Sequence, residues 1–141
     1  MKAQDLLASL PFICTIEREG LSLEAEMKVR TKRVYLDPGD EDGTRILVDR
    51  LWPRGLTKEK AKADIWLKEI APSTELRKWF GHDLERWTEF QTRYAEELKL
   101  HSEQLALLKL EADRGPITLV FGARDEEHNQ AVVLQRVLQH K

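Results

Sequence analysis

The sequence predicts an α/β fold with a small, mainly parallel sheet of three to four strands flanked by about five helices. Two short apolar runs, Ile46-Leu47-Val48 and Ile117-Thr118-Leu119-Val120-Phe121, read as strands buried on both faces. A long stretch of helical spacing separates them, and a crossover of that kind suits parallel pairing. The order strand, strand, several helices, strand, helix is that of an α/β layer arrangement.

Residues 1–26 read as an N-terminal extension ahead of a single domain spanning 27–141. Leu6, Leu7, Leu10, Phe12 and Ile13 faintly resemble a secretory signal, but Asp5 and Pro11 interrupt the run and no small-residue cleavage site follows. Met27 immediately precedes the first clear strand, which Val29, Thr31, Arg33, Val34, Tyr35 and Leu36 outline. Asp37-Pro38-Gly39-Asp40 marks a turn, and Asp40 to Gly43 reads as a solvated acidic loop. After the 46–48 strand, Trp52-Pro53-Arg54-Gly55 must be a loop. Thr57 is placed to cap a helix that carries Ala61, Ile65 and Lys68 to Ile70 as far as Pro72. Ser73 caps a second helix containing Leu76, Trp79 and Phe80 and ending at Gly81; Asp83 caps a third carrying Trp87, Phe90, Tyr94 and Leu98. Leu105, Leu108 and Ala112 outline a fourth, stopped by Gly115-Pro116. A last helix with Ala131, Leu134 and Leu138 follows the 117–121 strand.

Composition excludes more than it assigns. The 141 residues carry 23 basic and 25 acidic side chains, for a net charge of −2, which argues against general nucleic-acid affinity. The single cysteine, Cys14, cannot form an internal disulfide, and a reducing, cytoplasmic setting is expected. No run approaches the roughly 20 apolar residues of a membrane span. His82, His101, His128 and His140 lack metal-ligand spacing, so no metal site is expected, and no cofactor fingerprint is present.

Three places carry chemistry-bearing side chains. The first is Asp49-Arg50-Leu51-Trp52-Pro53-Arg54-Gly55, which leaves a strand within a stretch (45–62) holding six basic side chains and two acidic ones. Arg50 and Arg54 offer the planar fork that suits phosphate or carboxylate, and Trp52 offers a flat face. The same arginines are equally suited to neutralising Asp49 as it leaves a buried strand, with Trp52 roofing the core. The second is Arg124-Asp125-Glu126-Glu127-His128-Asn129, after the last strand. Here Asp125 serves either as an acid–base group or as a helix cap, while Arg124 and Asn129 are candidate ligand contacts. The third is His82-Asp83, between two aromatic-rich helices, with His82 a candidate acid–base residue. In parallel sheets ligands sit beyond the carboxyl ends of strands, so the 49–55 and 124–129 loops belong at one edge.

Arg45-Ile-Leu-Val-Asp-Arg-Leu-Trp-Pro-Arg-Gly55, Trp66-Leu-Lys-Glu-Ile-Ala-Pro-Ser73, Leu76-Arg-Lys-Trp-Phe80, His82-Asp83 and Asn129-Gln-Ala-Val-Val-Leu134 resemble the YeaO-like family. These are small, mostly bacterial proteins within a broader domain family of unknown function. The resemblance runs from Lys28 to about Leu138 and implies a small cytoplasmic α/β protein. Some members of the broader family carry a Cys-His-Arg motif after the last strand. Here His128-Asn129-Gln130 stands in that region, so the resemblance carries no thiol chemistry. Arg124 stands where the family has lysine, and Leu84 where it has proline.

The function expected is the binding of a small anion (phosphate, nucleotide or carboxylate) by Arg50, Trp52, Arg54, Arg124 and Asn129. Asp49, Asp125 and His82 would be the acid–base groups of any reaction. One alternative is a nucleic-acid-binding protein using the 45–62 basic stretch. Another is an interaction module or homodimer whose aromatic helices form the contact.

Overall fold

The computed structural model of the protein describes residues 29–139; the expected extension at 1–26 lies outside them. Four strands form one all-parallel sheet: β1 (Val29–Arg33), β2 (Thr44–Leu47), β3 (Ile65–Trp66) and β4 (Ile117–Phe121), in spatial order β1-β4-β2-β3. The expected parallel pairing joins β2 to β4, with Thr44 opposite Ile117 and Leu47 opposite Val120. β4 is central and buried along its whole length, which is why its five residues are apolar or, at Thr118, hydrogen-bonded to the Asp42 carbonyl.

Alternation along the strands sorts side chains into two cores. Ile46, Val48, Ile117, Leu119 and Phe121 face the larger one, built with α2 (Thr74–Phe80), α3 (Trp87–Leu98), α4 (Ser102–Arg114) and α5 (Gln130–Gln139). Leu47 and Val120 face the smaller one, where Ala61 of the one-turn helix α1 (Lys58–Ala61) and the half-buried Trp52 pack. Phe80, Phe90 and Tyr94 form a stacked series inside the larger core.

Caps explain most helix boundaries. The Thr57 hydroxyl accepts from Lys60 N–H, the Ser73 hydroxyl from Leu76 N–H at 3.1 Å, and Gly81 ends α2 in the left-handed conformation. The helix expected through residues 57–70 is the one element that fails. It stops after one turn, Lys62 turns left-handed, and Ile65-Trp66 become an edge strand on β2. Asp64 N–H donates to Arg45 O and Leu67 N–H to Leu47 O, so sheet pairing outweighs local helical spacing there.

The Asp40–Gly43 loop also departs from expectation. It forms a 3-10 turn that buries Asp42 at 3% exposure. Asp42 pairs with Arg45 at 2.7 Å and with Lys32 at 3.2 Å. Arg45 is itself buried and spends its remaining donors on the Ala61 and Lys62 carbonyls. It is therefore a structural cation, removed from the exposed basic stretch.

Candidate functional site

β2 leads towards β3 on one side, while α5, which follows β4, packs back over β1 on the other. Their connections diverge at the β2–β4 edge, where a ligand crevice is expected in a parallel sheet. A cleft of about 270 Å³ opens there. Asp49, Arg50, Leu51, Arg77, His82 and His128 give it its polar and rim groups; Phe80, Phe90, Ala71 and Pro72 give it an apolar side.

Asp49 stands at its centre. One carboxylate oxygen accepts the Gly122 N–H at 2.8 Å and the other accepts the Gln130 amide, so one side chain ties the end of β2 to the end of β4 and the start of α5. A Cβ at Gly122 would lie 3.0 Å from Asp49 Oδ2, so a larger residue there would push the carboxylate aside by a few tenths of an ångström. The Trp66 indole N–H donates to the Asp49 carbonyl at 2.8 Å. Burial pushes the Asp49 carboxyl above its ordinary range, against the lowering pull of Gly122, Gln130 and, at longer range, Arg77.

Neither arginine of the loop neutralises Asp49. Arg50 donates from Nη2 to Ala71 O at 3.0 Å and from Nε to Pro72 O at 3.3 Å, leaving Nη1 without a partner among the described residues. The residues on either side of the gripped carbonyls are themselves held. Tyr94 donates to Ile70 O at 2.6 Å, and Glu97 accepts from both the backbone and the hydroxyl of Ser73. Arg50 is thus a fixed cation with one open edge. Arg54 is exposed and does not line the cleft; only its carbonyl is engaged, by the Tyr35 hydroxyl. Trp52 turns to the other side of the sheet, donates to Leu56 O at 2.7 Å and packs edge-on to Trp66.

The second loop divides its duties differently from the expected ones. Asn129, 2% exposed, caps α5: its oxygen accepts the Val132 N–H at 3.1 Å and its amide donates to Asp125 O at 2.8 Å. Asp125 closes the preceding turn, accepting the Glu127 and His128 N–H groups and contacting His128 Nδ1 at 2.9 Å. The Glu127 N–H, then the His128 contacts, hold its carboxyl below the usual range. The imidazole of His128, oriented by Asp125 and set edge-on against Trp87, lines the cleft; Arg124 is exposed outside it. His82 reaches the opposite rim on a left-handed backbone (φ 59), its ring beside Phe80.

Of the residues singled out from sequence, the structure brings together Asp49, Arg50, His82 and Asn129. It leaves Trp52, Arg54 and Arg124 elsewhere and places Asp125 behind His128. Arg77, Gln130 and Gly122 were not anticipated. Arg77 lies on the exposed face of α2, where helical spacing marks only a solvated position.

Comparison with known proteins agrees with the resemblance read from the motifs. Residues 28–141 match the family model described as the inactive DUF488-N3 subclade. The uncharacterized protein YeaO of Escherichia coli is 45% identical over 109 residues, which cover 77% of this chain and 94% of that protein. The uncharacterized protein Rv3073c of Mycobacterium tuberculosis is 44% identical over 113 residues, 80% of this chain and 95% of its own. No solved structure matches.

Proposed function

The chain belongs to the inactive DUF488-N3 subclade, and on that premise we propose that it is a binding protein for a small anionic metabolite, held in the cleft between the ends of β2 and β4. One observation carries the reading: two arginines, Arg50 with an open edge and Arg77 with no side-chain hydrogen bond or close ion pair among the described residues, line one small crevice with His82 and His128. A fixed guanidinium edge is suited to a carboxylate or phosphate. The cleft volume of about 270 Å³ suits a ligand smaller than a nucleotide. The word "inactive" in the family description favours binding over turnover. So does the lining, which offers Asp49 and two histidines as acid–base groups and no hydroxyl, thiol or amine nucleophile among the described residues.

The test uses the full chain, with thermal stability measured against inorganic phosphate, glycerol phosphate and a series of small carboxylates and amino acids. A ligand at 100 times its dissociation constant adds about 2.7 kcal/mol, a shift of several degrees. Arg77→Ala should melt within about 2 °C of the parent, because the side chain is exposed and makes no hydrogen bond or close ion pair among the described residues, yet lose the shift. Arg54→Ala should keep it. A shift that survives Arg77→Ala, or none with any of the anions, would sink the proposal.

A further inference from the structure

We infer that the ligand of this cleft is an ampholyte, an α-amino acid or an amine-bearing carboxylic acid of similar size, with its carboxylate at Arg50 and Arg77 and its ammonium group at Asp49. The inference rests on the anion-binding reading and narrows it. A carboxylate has about four hydrogen-bond acceptor sites, and two of those on Asp49 are filled, by Gly122 N–H and the Gln130 amide. Both donors are neutral. Among the described residues no cation lies within ion-pair distance of Asp49: Arg50 is turned to the Ala71 and Pro72 carbonyls, and Arg77 makes no ion pair.

The cleft therefore presents both signs of charge in one small volume. A simple anion would meet the arginines favourably but would have to lie beside a carboxylate that no cation contacts directly and that only Arg77 opposes, at longer range. A simple amine would meet Asp49 but face two guanidinium groups. A ligand with a carboxylate and an ammonium a few ångströms apart satisfies all three groups, and complementarity of this kind is how charged sites discriminate between otherwise similar ligands. The apolar side formed by Phe80, Phe90, Ala71 and Pro72 leaves a place for the hydrocarbon part, and the volume of about 270 Å³ matches a molecule of that size.

Calorimetric titration of the full chain at neutral pH tests the inference with matched pairs. L-phenylalanine, L-leucine and L-glutamate are compared with 3-phenylpropanoate, 4-methylpentanoate and glutarate, which lack only the ammonium group, and with phenethylamine and inorganic phosphate. At least one amino acid should bind tenfold or more tightly than its deaminated partner and than the amine. Asp49→Asn should remove that preference, weakening the amino acid and tightening the deaminated acid, which then no longer lies beside a carboxylate; Arg77→Ala should weaken both. Because the preference is read first in the unaltered protein, a poorly folding Asp49 variant does not shelter the inference. Deaminated acids or phosphate binding as tightly as the amino acids would overturn the ampholyte and leave anion binding standing. No binding by any carboxylate or phosphate would overturn both.

Discussion

Arg50 and Arg77 bring the same charge to the cleft by different means, and the difference can be measured. Arg50 holds two backbone carbonyls through the fork of its guanidinium, so Arg50→Lys keeps the charge but must release at least one of them. A loss of about 1 kcal/mol in urea unfolding is expected, where Arg77→Ala should cost almost nothing. An equally stable Arg50→Lys protein would show that the carbonyl grip contributes little. Gly43 is the more demanding residue. It sits at φ 66, and a Cβ there would lie 2.1 Å from the Pro116 carbonyl oxygen, which already accepts the Thr44 N–H. Backbone cannot yield as a side-chain tip can, so Gly43→Ala should cost about 3 kcal/mol or more and lower the melting temperature by roughly 10 °C. Asp49 and Arg50 were legible from sequence because they leave a buried strand, where charge is conspicuous. Arg77 was not, because a charge on an exposed helix face becomes a cleft residue only through the way α2 docks. Trp52 and Arg54 share a loop with Arg50 yet lie away from the cleft, which proximity in sequence could not reveal.

Caps and edge pairing decide the elements. α5 begins at Asn129, whose two hydrogen bonds join the helix to the Asp125 turn in a buried setting. Asn129→Ala should therefore cost about 2 kcal/mol, at the upper end for a cap, and loosen the turn that orients His128. Far-ultraviolet circular dichroism with thermal melting measures the first effect; a change in the chemical shifts of the His128 ring protons in NMR reports the second. A variant that melts like the parent would mean that the cap is replaced by solvent. The sequence placed a cap at Asp125 because an aspartate followed by two glutamates is a common helix start; Asn129 does the capping four residues later, after a turn that the same acidic residues form among themselves. The 57–70 region was misread for a related reason. Ala61 and Ile65 fall at helical spacing, and Thr57 does start a helix, but Arg45 and Leu47 of β2 offer unpaired carbonyls that Asp64 and Leu67 satisfy. That demand comes from a strand some 20 residues away and leaves no mark in a local window. The remaining helices and the β2–β4 pairing were legible because their apolar spacing, caps and breakers all point the same way.

Across the described residues, three carboxylates with shifted titration set how stability depends on pH, and they act in opposite directions. Burial works to raise the Asp42 carboxyl, but the Gly39 N–H, Arg45 and Lys32 together hold it below its ordinary value of 3.8. Asp125 is lowered as well, chiefly by the Glu127 N–H. Each lowered group contributes stability above its unfolded pKa, and that contribution is lost as pH falls through the folded value. Asp49 is raised, so its contribution is complete below the unfolded pKa and fades as pH rises through the folded value. Acidification towards pH 4 therefore restores the Asp49 contribution and acidification below about pH 4 removes the other two, so the parent's net fall in stability between about pH 7 and pH 3 should be smaller than Asp42 and Asp125 alone would dictate. Asp49→Asn should enlarge that net fall, because the opposing gain is gone. Asp42→Asn should flatten it while lowering stability at pH 7, because Arg45 is then buried with no full counter-charge. Urea unfolding of the three proteins between pH 3 and pH 7 separates these effects. An Asp49→Asn protein whose net fall between pH 7 and pH 3 is no larger than the parent's would mean that the Asp49 carboxyl is ordinary in the folded state, and the cleft would then hold a well-solvated charge instead of a confined one.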